Sequence, residues 1–171
     1  MAQRRRREAA APQAPVALDQ RGQALKELLP SILEGFDLEI GAAVDEVVVT
    51  LKPTDLPAAC RVFKEHPELD FDYLRCLCVV DYVERLEVNY HLFSYQKRHK
   101  MVVKTSASPD DPLVPSIISV WLAADWFERE AHDLFGIVFT DHDNLKPLIL
   151  YEDFEGYPGR KSYPFHDYQE F

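Results

Sequence analysis

Between residues 73 and 105 three strand-like runs follow one another with almost nothing between them, and few folds can house such a succession. In 73–83, Leu74, Cys76, Cys78, Val80 and Tyr82 fall on one face and Leu77 and Val79 on the other, so this run reads as a buried, central strand. Glu84 and Arg85 leave room only for a tight turn. The next run, 86–95, alternates Leu86, Val88, Tyr90 and Leu92 with Glu87, Asn89 and His91, and a basic turn at 96–100 leads to a third run, 101–105.

Upstream, Ala24, Leu25, Leu28, Leu29 and Ile32 recur at helical spacing over 20–33, where Pro30 should kink the helix or end it early. Runs 36–40 and 44–51 predict an antiparallel hairpin turning around Gly41. Thr54 has the place of a helix N-cap, with Asp55 and Pro57 in the first turn. Leu56, Ala59, Cys60 and Phe63 form the buried side of that helix, which stops before Pro67. The order α-β-β-α-β-β-β implies a two-layer α+β domain over 20–106, with helices covering one face of a mixed sheet.

Beyond that domain, 107–136 comprises a Pro-rich extended loop and an amphipathic helix. Ala123, Ala124, Phe127, Ala131, Leu134 and Phe135 make the apolar side of the helix, and Gly136 suits its left-handed cap. Asp125, Glu128, Arg129, His132 and Asp133 cover the other side, with Trp126 and Glu130 at the margin. Arg129 stands four residues from both Asp125 and Asp133, spacings that add about 0.2–0.5 kcal/mol each. Three readings compete for this charged face. It is a solvated surface laced with ion pairs, or a docking surface where Trp126, Arg129 and Glu130 meet another chain, or the seat of a Glu128/His132 pair that lacks a nucleophile or second ligand.

Residues 137–171 lose periodicity yet keep Phe139, Leu148, Ile149, Leu150, Tyr151, Phe154, Tyr157, Tyr163, Phe165, Tyr168 and Phe171, too apolar a set for a disordered region. The segment reads as an extended arm that binds a partner. Arg160 and Lys161, after Gly156, Pro158 and Gly159, sit where a turn could present them to an anionic group, and suit a salt contact with a neighbouring subunit better than substrate binding. Residues 1–19 carry little to bury and read as a disordered basic leader, an organelle transit peptide being the alternative.

Composition then removes whole classes. The chain has 19 Lys and Arg against 29 Asp and Glu, a net charge of −10, and four of the basic residues lie in the leader at 4–7, which argues against a nucleic-acid surface. The longest nearly apolar run, 117–124, is far short of the roughly 20 residues a membrane span needs. Cys60, Cys76 and Cys78 form no C-x-x-C pair and read as buried, reduced thiols, too few for an iron–sulfur cluster. A Gly-rich phosphate loop, a G-x-G-x-x-G, an H-E-x-x-H and a G-x-S-x-G around Ser116 or Ser162 are all missing from the sequence. Asp141, His142 and Asp143 are adjacent, and adjacent residues seldom converge on one ion. His66 and His99 read as surface residues. On residues alone, no catalytic, cofactor-binding or metal-binding residue is assigned.

Several ordered blocks carry a family resemblance: F-D-Y-L-R-C-L-C-V-V-D-Y at 71–82, Y-H-L-F-S at 90–94, D-D-P-L-V-P-S at 110–116, E-R-E-A-H-D-L-F at 128–135 followed by His142, Lys146 and the pair Leu148 and Ile149, and E-G-Y-P-G-R-K-S-Y-P at 155–164. Together they resemble the respiratory-chain NADH dehydrogenase 30 kDa subunit, the C-type component of the NADH–quinone oxidoreductase known as complex I. The departure is in the tail, where 157–164 reads Y-P-G-R-K-S-Y-P against the family's usual His-Pro-Leu-Arg-Lys-Asp-Tyr/Phe-Pro.

The resemblance implies a subunit that holds no flavin, nicotinamide or cluster itself, in a complex whose other subunits carry iron–sulfur clusters, FMN and quinone. It implies packing on the 49 kDa-like subunit and cluster-bearing neighbours, on the cytoplasmic side of the cell membrane or the matrix side in a mitochondrion. Trp126, Glu128, Arg129, Glu130, Asp133, Phe135, His142, Lys146, Arg160 and Lys161 become the expected interface. Two alternatives stay open: the same role in an energy-converting hydrogenase or a ferredoxin- or coenzyme F420-linked quinone oxidoreductase, and a small metal-dependent enzyme using Glu128, His132 and His142.

Overall fold

The computed structural model describes residues 17–164. The basic run at 4–7 and the aromatic residues Phe165, Tyr168 and Phe171 lie outside the described residues. The chain runs α1 (Gln20–Ile32), β1 (Leu38–Ala43), β2 (Glu46–Leu51), a 3-10 turn (Pro53–Asp55), α2 (Leu56–Glu65), β3 (Tyr73–Asp81), β4 (Leu86–Phe93), β5 (Lys100–Ala107), β6 (Leu113–Pro115), α3 (Ala124–Phe135) and β7 (Val138–Thr140).

Five strands form one sheet in the order β1-β2-β5-β4-β3, with β2 and β5 parallel and the other neighbours antiparallel. The register sets Val47 and Val49 beside Met101 and Val103, and these beside Leu92 and Tyr90, on one face. That face meets Leu25 and Leu29 of α1 and Leu56, Ala59, Cys60 and Phe63 of α2 in a single core. Each such apolar side chain taken from water contributes about 1.5–3 kcal/mol. The result is the mixed, two-layer α+β arrangement that the alternation of the sequence predicts.

Local details depart from that prediction. Helix α1 continues two residues past Pro30, because a proline in the last turn removes a bond only where the ladder is ending. The first hairpin turns after Ala43, and Gly41 pairs with Val48 inside β1. Val44 takes the left-handed φ of 58° at that turn. Thr54 lies in the 3-10 turn, and Asp55 holds the cap position of α2 without a side-chain bond to the helix.

Strand β3 is an edge strand, not a central one. A register shift between Leu74 and Cys76 lets Leu74 and Leu77 point inward while Cys76 is half-buried and Cys78 exposed, so Cys60 alone is a buried thiol. The neighbouring strand β4 is enclosed, and there Glu87 is buried and takes a bond from Lys104 Nζ at 2.8 Å. His99 is half-buried rather than free on the surface: its Nε2 donates to the Leu69 carbonyl at 2.7 Å and its ring lies 4.8 Å from Phe71. Burial holds its pKa down, against the raising effect of that bond.

The Pro-rich loop and the start of the tail are not irregular throughout. Strands β6 and β7 pair in parallel, Val114 against Phe139, and both residues are buried. Among the described residues no helix is long and apolar enough to cross a membrane.

Candidate docking face on the third helix

Helix α3 is seated from both ends. Ahead of it, Trp121 is buried and its indole N–H donates to the Phe71 carbonyl at 3.0 Å. Behind it, Gly136 takes φ 70° and returns its N–H to the His132 carbonyl at 2.8 Å. His132 Nδ1 donates to the Ile137 carbonyl at 2.9 Å, which fixes the ring's tautomer and ties it to the helix end.

The two faces of α3 are not divided as the charge pattern predicts. Glu128 is fully buried, and Asp133 nearly so, whereas Trp126 is 64% exposed. Ala123 is exposed, and Phe127, Leu134 and Phe135 are only half-buried. The charged side turns inward because the polypeptide supplies it with partners. Ser116 Oγ donates to Glu128 Oε2 at 2.5 Å and the Ile117 N–H to Oε1 at 2.8 Å, so the carboxyl clamps the segment leading into the helix. Burial pushes the Glu128 pKa up to about 7, against the lowering effect of these two donors.

The rest of that side is covered by the chain's own C-terminal segment. Asp133 Oδ2 accepts three consecutive backbone N–H groups, from Leu148 and Ile149 at 2.7 Å and Leu150 at 3.2 Å. Burial alone would raise the Asp133 pKa; the three amides outweigh it and hold it below the usual carboxylate range. Arg129 donates to the carbonyls of Lys146 at 2.9 Å and Pro147 at 3.0 Å, in place of the pairs with Asp125 and Asp133 that the spacing predicts. Arg160 donates to the carbonyls of Phe135 at 2.7 Å and Pro109 at 3.2 Å, and the Lys161 N–H reaches Asp81 Oδ2 at 2.7 Å.

Glycine at 159 has a physical reason. Its N–H donates to the Leu134 carbonyl at 2.8 Å, and a Cβ there would stand 2.8 Å from that same oxygen. Here the arm touches α3 backbone to backbone.

The expected interface residues therefore split. Glu128, Arg129, Asp133 and Arg160 are occupied within the chain, Phe135 is half-buried beside Gly159, and the His142 side chain is fully buried. Trp126, Lys146 and Lys161 face outward, and Glu130 is half-buried. Sequence reasoning missed Leu122, 83% exposed and one helical turn from Trp126, and missed Ser116 and Asp125 as partners of the buried cluster. The signal for Leu122 was present in its spacing from Trp126. Among the described residues no group of three or more His, Cys, Asp or Glu could hold a metal ion, and Glu128, His132 and His142 do not form one.

The fold recurs in solved structures. One is titled Nqo5 of the trypsin-resistant fragment (1-134), with a TM-score of 0.60 and 26% identity, covering 71% of this chain and 98% of that one. The other belongs to a membrane-bound sulfane sulfur reductase, an archaeal respiratory membrane complex, with a TM-score of 0.71 and 23% identity, covering 82% and 86%.

The chain belongs to the respiratory-chain NADH dehydrogenase 30 kDa subunit family, whose model matches residues 49–169. It is 37% identical over 134 residues to the second C-type component of the NADH-quinone oxidoreductase of Rhizobium meliloti (strain 1021), spanning 77% of this chain and 73% of the relative. To the C-type component of the same oxidoreductase in Acidithiobacillus ferrooxidans (strain ATCC 53993 / BNL-5-31) it is 38% identical over 157 residues, spanning 86% and 76%.

Proposed function

We propose that this chain is a non-catalytic scaffold subunit in the peripheral arm of a proton-translocating NADH–quinone oxidoreductase. It holds the quinone-proximal redox subunits in register, chiefly the 49 kDa-like subunit and the cluster-bearing subunits. Flavin, iron–sulfur clusters and quinone belong to those other subunits, and the site of action is the cytoplasmic side of the cell membrane, or the matrix side in a mitochondrion. Family membership supports the complex. The observation that carries the docking reading is the exposure of Leu122, just ahead of α3, and of Trp126 on it, with Ile149 and Tyr151 exposed on the arm. Large apolar and aromatic groups of this kind anchor interfaces.

In this reading Trp126, Glu130, Lys146 and Lys161 touch the partner. Glu128, Arg129, Asp133, Phe135, His142 and Arg160 shape the face from within the chain. Affinity capture of the tagged full chain from its own host, followed by mass spectrometry, is the test. The wild type is expected to bring down cluster-bearing and nicotinamide-binding subunits, and Trp126→Ala to lose them while its circular dichroism is unchanged. A hydrogenase in place of nicotinamide-binding subunits would contradict the donor, and full complex yield from Trp126→Ala would contradict the docking face.

A further inference from the structure

Where the arm leaves β7, three titratable side chains from two segments meet, Glu128 and His142 shut off from water and Asp125 partly open to it. Glu128 and His142 have side chains with no exposed surface, and His142 Nε2 stands 3.2 Å from Asp125 Oδ1 and 4.0 Å from Glu128 Oε2. Asp125 and Glu128 lie one turn apart on α3, so two carboxylates flank a single ring nitrogen. The approach is off-line: neither Asp125 Oδ1 nor His142 Nε2 has a well-aligned hydrogen bond, although both atoms are buried. On its other side the ring is fixed, because His142 Nδ1 accepts the Asn144 N–H at 3.1 Å. A nitrogen that accepts carries no proton, so the ring hydrogen sits on Nε2, facing the carboxylates.

We propose that Asp125, Glu128 and His142 form a proton-binding latch that fastens the loop opening the C-terminal arm to α3. In its tight state the node binds one proton from solvent, and as the pH rises it releases that proton and the loop loosens. Two carboxylates facing one ring N–H, that of Glu128 fully buried, leave a surplus of negative charge that a single proton relieves. The ring cannot take it, since a second hydrogen would fall on Nδ1 against the Asn144 N–H. Glu128 can, because the Ser116 hydroxyl at 2.5 Å accepts from a carboxylic acid as readily as it donates to a carboxylate.

The other titratable groups around Glu128 do not compete. Cys60 of α2 and Tyr90 of β4 are both held neutral, by burial first and by the Glu128 charge second. Burial likewise raises Glu128 from 4.5 to about 7. A raised folded value means that the stabilisation is complete below 4.5 and is lost as the pH climbs through about 7. If the arm is part of the docking face proposed above, the latch makes docking strongest below neutrality.

The full chain alone tests this, by carbon-13 carboxyl and nitrogen-15 histidine NMR together with Asn144 amide exchange, corrected for intrinsic rates, over about pH 5.5–8.5. Expected are a Glu128 titration near 7 and a fall in Asn144 protection on the order of tenfold across the titration. Glu128→Gln should keep the loop protected and abolish its pH dependence. A Glu128 titration near 4.5, or wild-type Asn144 protection that does not change with pH, overturns the proposal. So does a Glu128→Gln chain that still responds to pH. Should that variant fail to fold, the wild-type titration decides by itself. Because no partner is present, failure of the latch leaves membership of the complex untouched, and failed capture of partners leaves the latch untouched.

Discussion

The β4–β5 half of the sheet and the α3–arm unit are joined by different chemistry. Val88, Tyr90, Leu92, Met101 and Val103 are fully buried and pack against α1 and α2. The arm is instead bound to α3 through backbone groups that meet three side chains, Asp133, Arg129 and Arg160, while Ile149 and Tyr151 stay in solvent. Apolar packing spreads stability over many residues and makes it cooperative. A polar clasp concentrates it in a few groups, so the arm can be released while the sheet stands.

Substitutions should separate the two regions. The largest effect belongs to the sheet: Leu92→Ala is expected to cost about 2–5 kcal/mol in urea unfolding, as a cavity the core cannot close. A loss confined to the arm would break the distinction. Next comes Asp133→Asn, which keeps one carbonyl but loses the charge that three amides share. Bonds to a charged group count about 1.5–3 kcal/mol each, so a local loss of roughly 3 kcal/mol is expected. It should appear as protease nicking within 141–151 with the urea midpoint of the sheet little changed. The same carboxyl gives an acid window. Its pKa is held below 3.8, so its contribution is present above that value and lost as the pH falls through the lower, folded one. Wild-type arm nicking should therefore rise at strongly acidic pH.

Gly159→Ala is expected to cost about 1–3 kcal/mol locally, since the new methyl must displace the Leu134 carbonyl or the Phe135 ring. Smallest is Cys78→Ser on the exposed edge strand, within about 0.5 kcal/mol of wild type. In the unaltered chain Cys78 should be the first cysteine labelled by a maleimide and Cys60 the last.

The same contrast explains what could be read from sequence. Period-two alternation marked β4, and period-3.6 spacing marked α2 with its buried Leu56, Ala59, Cys60 and Phe63, because those patterns are the packing itself. Edge and centre were not legible: 73–83 is apolar on both sides, but the shift after Leu74 turns Cys76 and Cys78 outward. Nor was the inside of α3 legible. Glu128 and Asp133 look like surface charges until Ser116 and the amides of 148–150 arrive from distant positions to satisfy them. A buried carboxylate is recognised by its donors, and backbone donors leave no mark on the sequence.

The most direct measurement is amide hydrogen exchange by mass spectrometry on the full chain, wild type against Asp133→Asn. A clasped arm predicts that protection at 146–151 collapses while the amides of β4 and β5 keep theirs. Protection at 146–151 that is unchanged, or a loss that spreads into β4 and β5, would contradict a polar clasp in which the Asp133 carboxylate secures 146–151 apart from the sheet.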